Sequence, residues 1–135
     1  MHIAVVEDDS DISEMMTLVL EKAGHQVSAH ACGSSLLSAL FPGPAPTVPY
    51  DLVILDLNLP DIAGIDVIVA IRQAHEEAPA QLPIVVYSAS ERAIERVAAS
   101  FPAIPVVRKP FRLEDLFQAM ATAREAARRR AQAVN

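Results

Sequence analysis

The sequence predicts an α/β domain, a (βα)5 doubly wound parallel sheet with strand order 2-1-3-4-5, and three observations carry that expectation. Short apolar runs alternate with segments whose apolar residues recur at helical spacing, the pattern of successive βα units. The run Leu52 to Leu55 is apolar throughout, as in a parallel strand covered by helices on both faces. Acidic, hydroxyl or basic residues follow the first, third, fourth and fifth runs directly, where an open α/β sheet keeps its crevice.

The elements follow in order. Ile3 to Val6 is the first strand. Ile12, Met15, Met16, Val19 and Leu20 mark the first helix, and Gly24 supplies its C-terminal cap. A weaker strand from Val27 to Ala31 leads through Gly33 into a helix with Leu36, Leu37, Leu40 and Phe41. Residues 41 to 50, "FPGPAPTVPY", hold too much proline for a helix or a central strand, so they form a loop at the amino ends of the strands. Leu52 to Leu55 is the third strand, and its helix runs from about Gly64 to Glu77. Ile84 to Tyr87 is the fourth strand, with Ile94, Val97, Ala98 and Phe101 in the helix after it. Ile104 to Val107 is the fifth strand. The last helix starts near Arg112 and is expected to bury Leu113, Leu116, Phe117 and Met120.

Composition bounds what such a domain does. The 135 residues are 52% hydrophobic and 21% charged, enough for one well-filled core and too few for two. The expected division is a domain over residues 1–123 and a basic helical extension or linker over 124–135. A net charge of −6 argues against direct nucleic-acid binding and against a membrane surface, both of which favour a basic face. The basic cluster Arg128 to Arg130 is read as complementing a helix C-terminus. Cys32, the single cysteine, suits a reducing compartment, and neither a signal segment nor a membrane-length apolar run is seen, so a cytoplasmic protein is expected.

With the strands in this order, the topological switch point lies between the first and third, which places Asp8 beside Asp56. Glu7, Asp8 and Asp9 follow the first strand, Asp56 the third, Ser88 the fourth and Lys109 the fifth. Clustered carboxylates repel unless a cation joins them. Oxygen ligands alone favour magnesium, and His2, His25, His30 and His75 form no set with zinc spacing. A carboxylate beside a metal can attack a phosphoryl group and form an aspartyl phosphate, with Lys109 neutralising one phosphoryl oxygen and the Ser88 hydroxyl bonding another. Individually these residues have plainer readings: Asp8 and Asp9 as helix caps, Asp56 as a turn residue, Ser88 as a cap, Lys109 as a surface lysine. Their joint arrival at one sheet edge favours the chemical reading.

The stretches "VVEDD" (5–9), "DLVILDLNLPDIAG" (51–64), "VVYSAS" (85–90) and "VVRKPF" (106–111) together resemble the receiver domain of two-component response regulators, from Ile3 to about Ala123. The resemblance implies a flavodoxin-like, chemotaxis-regulator-like fold with Asp56 as phosphoacceptor. It implies Asp8 as a direct Mg2+ ligand, Glu7 acting through water, the Asn58 backbone carbonyl completing the site, and a cis peptide between Lys109 and Pro110. It makes Ser88 the switch hydroxyl and Lys109 the phosphoryl contact. It implies a signalling switch rather than a conventional enzyme, one that takes part in its own phosphorylation and dephosphorylation. The partners implied are a sensor histidine kinase or histidine phosphotransfer protein and a downstream output domain or protein, with homodimerisation open.

Two departures from that pattern matter. The proline-rich insertion lengthens the span from Asp8 to Asp56, though at the far end of the sheet from the chemistry. Receivers usually carry Tyr or Phe three residues before the lysine, where Val106 stands here; Tyr87, beside Ser88, is a candidate to report the change instead, with packing as its plainer reading. The missing aromatic keeps an alternative, a phosphorylation-independent interaction scaffold, in view. A flavin carrier is disfavoured because Glu7, Asp8 and Asp9 repel a flavin phosphate. An Asp-nucleophile phosphatase lacks a second acid at Asn58.

Overall fold

The computed structural model of the protein describes residues 1–44, 49–74 and 80–134. Strands β1 (His2–Val6), β2 (Gln26–His30), β3 (Leu52–Asp56), β4 (Ile84–Ser88) and β5 (Val106–Arg108) form one sheet. Its order is 2-1-3-4-5 and the adjacent strand pairs are parallel. Among the described residues the helices are α1 (Ser10–Lys22), α2 (Gly33–Leu40), α3 (Gly64–Arg72), α4 (Glu91–Ser100) and α5 (Leu113–Val134). The predicted (βα)5 architecture and strand order are present.

Period-two alternation along the strands divides the core into two layers. On one face Ala4, Val6, Val53, Leu55 and Val86 pack beneath α2, α3 and α4. On the other, Ile3, Val5, Ile54 and Val85 pack beneath Met16 and Leu20 of α1 and Leu116 and Met120 of α5. A one-residue slip of β3 would exchange its two buried sets, so register is fixed by the covering helices.

Local signals set the ends of the elements. Gly24 takes φ +94 after α1, its N–H donating to Glu21 O and that of His25 to Leu20 O, the paired bonds of a Schellman cap. Asp9 caps the start of α1 by accepting from the N–H groups of Asp11 and Ile12.

Four expectations need correction. The fifth strand begins at Val106 rather than Ile104, because Pro105 has no N–H to give the ladder and Ile104 N donates back to Phe101 O. Leu113 and Phe117 are not buried but 44% and 37% exposed. The inward stripe of α5 runs through Leu116, Ala119, Met120 and Ala123, whose two alanines let the helix lie close to the sheet and leave the larger flanking residues at its rim. Ala98 on α4 also faces outward. Because α5 continues to Val134, Arg128 to Arg130 do not occupy its last turn; Arg128 and Arg129 pair with Glu125, and Arg130 donates to Gln81 O. Helix α3 ends at Arg72, and the expected continuation to Glu77 lies partly outside the described residues, as does the middle of the proline-rich loop. Tyr50, at the end of that loop, is buried against the sheet, its hydroxyl 2.8 Å from His30 Nε2. Among the described residues no helix is long and apolar enough to cross a membrane.

Candidate functional site

The carboxyl ends of β1, β3, β4 and β5 bring together most of the residues singled out from sequence. Asp56 ends β3 with 3% of its surface exposed, and Glu7, just beyond β1, has 2%. Neither charge is bare. Lys109 Nζ donates to Glu7 Oε1 at 3.2 Å and to Asp56 Oδ2 at 3.3 Å, and Asn58 N donates to Asp56 Oδ1 at 3.1 Å. The Asn58 bond turns the chain immediately after β3 and fixes the plane of the Asp56 carboxylate. Asp8 is exposed, and one carboxylate oxygen each from Glu7, Asp8 and Asp56 lies within 4.8 Å of the others.

The electrostatics of this group are under tension. One ammonium serves two buried carboxylates. Burial, followed by the hydrogen-bonding and charge influence of Asp56, raises the Glu7 pKa from 4.5 to about 7, against the opposing pull of Lys109. Glu7 Oε2 is buried and has no hydrogen-bond partner among the described residues. That orphan oxygen, next to an exposed carboxylate and a second buried one, fits a hard divalent cation with its waters: oxygen donors only, with acceptor capacity left over. Asp8, Asp56 and Glu7 could hold such an ion.

Ser88 closes β4, fully buried. Its Oγ accepts from Ser90 N at 3.0 Å, and its carbonyl accepts from Lys109 N at 3.0 Å, so the β4 end and the lysine are tied through their backbones. The hydroxyl proton of Ser88 is not engaged by that bond. The helix cap expected as the plain reading of Ser88 belongs to Ser90, which accepts from Ala93 N at the start of α4. Asp8 and Asp9 divide the roles considered for them: Asp9 caps α1 and Asp8 joins the carboxylate group. The Lys109–Pro110 peptide is cis.

Two contributors, Asp61 and Gly64, escaped the sequence reading, and a third, Tyr87, is more closely tied to the site than its position beside Ser88 alone implies. Asp61, in the turn-forming stretch after β3, accepts from Gly33 N at 3.0 Å and Ser34 N at 2.9 Å. It thereby caps α2 and pins the loop that carries Asn58. Bonds from the Ser34 hydroxyl and N–H hold its carboxyl far below the usual range. Gly64 opens α3 where a Cβ would lie 2.6 Å from the Leu57 Cα and 2.9 Å from Asp56 O, so the helix start is pressed against the phosphoacceptor candidate's own backbone. Tyr87 lies in register with Asp56 across the sheet, fully buried, with Lys109 Nζ 4.5 Å from its ring centroid. Asp61 and Gly64 sit at offsets where a turn already explains them, and nothing local signals their distant contacts. Val106, in place of the usual aromatic, is half-buried and packs on the α2–α4 side of the core.

Comparison with known proteins gives the same picture. A family model described as response regulator receiver domain matches residues 3–121. The DNA-binding response regulator MtrA of Mycolicibacterium smegmatis is 35% identical over 116 residues, 85% of this chain and 46% of that protein. An uncharacterized transcriptional regulatory protein of Bacillus subtilis, YkoG, is 31% identical over 116 residues, 85% of this chain and 47% of its own length. The chain therefore spans about half the length of the curated relatives it matches. Among solved structures, a sensor protein from Polaromonas sp. JS666 superimposes with a TM-score of 0.78 at 30% identity, covering 93% of this chain and 97% of that one. The response regulator TrrA of Thermotoga maritima, in complex with Mg(2+)-BeF, gives 0.73 at 28% identity, covering 90% and 97%.

Proposed function

Because the chain belongs to the response regulator receiver domain family, we propose that it accepts a phosphoryl group on Asp56 from a phosphohistidine, with Mg2+ required, and that the phosphorylated and free forms present different partner surfaces. The observation that carries the reading is the buried Asp56 carboxylate bonded at once to Lys109 Nζ and Asn58 N, at the switch point of the sheet. In the transfer, an Asp56 oxygen forms a bond to phosphorus as the P–N bond of the donor histidine breaks and the imidazole departs. Asn58 N–H orients the attacking carboxylate. Lys109, already at 3.3 Å, follows the charge onto the phosphoryl oxygens, and the uncommitted Ser88 proton donates to another. Magnesium, when bound by Asp8, Asp56, the Asn58 carbonyl and Glu7 through water, supplies the positive charge that lets a phosphoryl group approach three carboxylates. TrrA, a relative of the same fold, was solved with Mg(2+)-BeF, which supports that assignment.

The partner classes proposed are a sensor histidine kinase or histidine phosphotransfer protein upstream and an output domain or protein downstream. The relatives named as transcriptional regulators support the second. Those names tie the longer proteins to DNA, so the expectation of no nucleic-acid contact gains no support from them. A cytoplasmic location is proposed, supported by the free thiol of Cys32, which suits a reducing compartment. The phosphorylation-independent scaffold is not favoured: a buried carboxylate pair held on one lysine is an expensive arrangement for a surface whose only work is docking.

The test is incubation with acetyl phosphate, with and without Mg2+, followed by intact mass spectra of the native chain and Asp56→Asn. One Mg2+-dependent phosphoryl adduct that vanishes in the variant is expected. An adduct of equal yield in the variant refutes the assignment of Asp56.

A further inference from the structure

The aromatic that receivers usually carry three residues before the lysine is replaced here by Val106. This chain has another aromatic at the site, one residue before Ser88, and it is buried. In the parallel ladder Asp56 is opposite Tyr87, and Tyr87 is opposite Val107, two residues short of the lysine. Tyr87 shares the α1–α5 side of the sheet with Ile54 and Val85, so its side chain stands next to that of Asp56. Lys109 Nζ rests 4.5 Å from the ring centroid while donating to both carboxylates. Phe111 meets the ring edge on, with centroids 6.2 Å apart.

The ammonium is thus held from two directions, by carboxylates and by the negative face of a ring, with 22% of its side chain exposed. Cation–π attraction is strongest where water is largely excluded, as it is here. The phenol group has its own place. Among the described residues two buried oxygens lack a partner, Glu7 Oε2, which only accepts while ionised, and the Tyr87 hydroxyl, which can donate. Burial, then the charges of Glu7 and Asp56, push the tyrosine pKa far up, so the hydroxyl stays protonated and neutral beside the carboxylates. A leucine or valine there would fill the core without giving the lysine a seat.

We propose that Tyr87 is a positioning residue for Lys109: its buried ring seats the ammonium between Glu7 and Asp56, in place to meet the incoming phosphoryl group. This rests on the receiver reading for its consequence, but the seat itself is a property of the free protein. Tyr87 touches no reacting atom. It acts through the lysine.

The sequence makes the seat directly observable, because Lys22 and Lys109 are the only lysines. Protein labelled with 13C at lysine Cε gives two methylene signals, assigned with Lys22→Arg. A methylene lying over an aromatic ring moves upfield, so the Lys109 signal is expected upfield of the exposed Lys22 signal in the native protein. It should stay there in Tyr87→Phe, which keeps the ring, and return to the ordinary position in Tyr87→Leu. In parallel, phosphorylation from acetyl phosphate at saturating Mg2+ should slow about tenfold in Tyr87→Leu, the loss of one desolvated cation–π contact, with far less change in Tyr87→Phe. The Mg2+ concentration giving half-maximal rate should be unchanged, since the ring serves the lysine and not the metal side of the site.

A native Lys109 signal at the ordinary lysine position overturns the proposal, and this needs no variant to fold. So does a Tyr87→Leu protein whose Lys109 signal stays displaced, or a Tyr87→Phe protein that loses the displacement as completely as the leucine variant. If the native protein shows the displaced signal but takes no phosphoryl group from acetyl phosphate or a phosphohistidine donor, the proposed phosphoacceptor function falls while the seating of Lys109 stands.

Discussion

The Glu7→Gln substitution should change how the metal-free protein depends on pH, by an amount that follows from the site. Glu7 keeps its proton in the folded protein up to about pH 7 but releases it near 4.5 when its environment is lost. Between those values the folded state binds more protons than the unfolded one, so native stability falls as pH rises through the interval. Each pH unit of it is worth about 1.36 kcal/mol, so the native chain should lose about 3 kcal/mol of stability between pH 4.5 and pH 8 on account of this one group. The glutamine variant carries no titratable proton at that position and shows no such loss. Other groups titrate in the same range: burial lowers the pKa values of His25 and His30, which removes stability as pH falls below their unfolded value of 6.5. Both proteins contain those histidines, so they cancel when the two stabilities are subtracted. The assay is urea unfolding followed by far-UV circular dichroism at intervals from pH 4 to 8.5, with EDTA throughout. The native minus variant difference should fall across pH 5 to 7 and level off above. A difference that stays flat over the whole range would refute the account of Glu7 as a carboxyl forced to share one lysine with Asp56. Adding Mg2+ at pH 8 to a hundred times its dissociation constant should restore about 2.7 kcal/mol to the native chain, since only the folded state assembles the three carboxylates.

Three further outcomes are expected. Gly64→Ala sets a methyl 2.6 Å from the Leu57 Cα, backbone that cannot yield without moving the Asn58 loop; it should destabilise by about 1–3 kcal/mol in urea titrations and also slow phosphorylation, whereas loss of neither would dismiss the close approach. Arg72→Ala removes the guanidinium bonds to Ala80 O (3.1 Å) and Leu82 O (2.8 Å), and with charged hydrogen bonds worth about 1.5–3 kcal/mol each the entry to β4 should open, seen as faster amide exchange there than in β1. Asp61→Ala uncaps α2, so amide exchange at Gly33 and Ser34 should accelerate while that of α1 does not change.

How far the sequence revealed this molecule differs from one residue to the next, for physical reasons. The strands and their order were legible because burial on both faces leaves an apolar run that few other structures explain, as Leu52 to Leu55 illustrates. The residues gathered at the crevice were legible too, since each follows its strand directly. What stayed hidden depends on contacts that cross the fold. Asp61 looks like any turn residue until α2 is found 27 and 28 positions away in sequence, presenting its N–H groups. Leu113 and Phe117 share the helical spacing of α5 but not its inward face, because apolar periodicity does not say which residue of a wide stripe sits at its centre. Tyr87 is the instructive case. Its place beside Ser88 makes it a candidate against a plainer reading as packing, and the ladder pairing with Asp56 and the return of Lys109 from β5 are what tie it to the site.

These features combine into one electrostatic argument. The free site holds two buried carboxylates and one exposed carboxylate against a single ammonium, and burial, reinforced by the neighbouring Asp56, raises the Glu7 pKa. The proposed phosphorylation of Asp56 would add further negative charge at the same point, roughly −1.5 to −2 near neutral pH for an ordinary phosphomonoester. Without an added cation the modified state would be far less stable than the free one; with it, the lysine would be released from sharing and could turn to the phosphoryl oxygens. The imbalance thus supports the proposed divalent ion on electrostatic grounds, beside the resemblance. On the proposed modification Lys109 would leave Glu7, and the β4 end at Ser88, which accepts from its N–H, and the adjoining turn into α5 would be the segments to respond. Those segments border the β5–α5 surface, where Val106, Arg108 and Gln118 line an open groove, so under the proposed function a change of charge at Asp56 would have a path to that face through the lysine's own chain, without an aromatic at position 106.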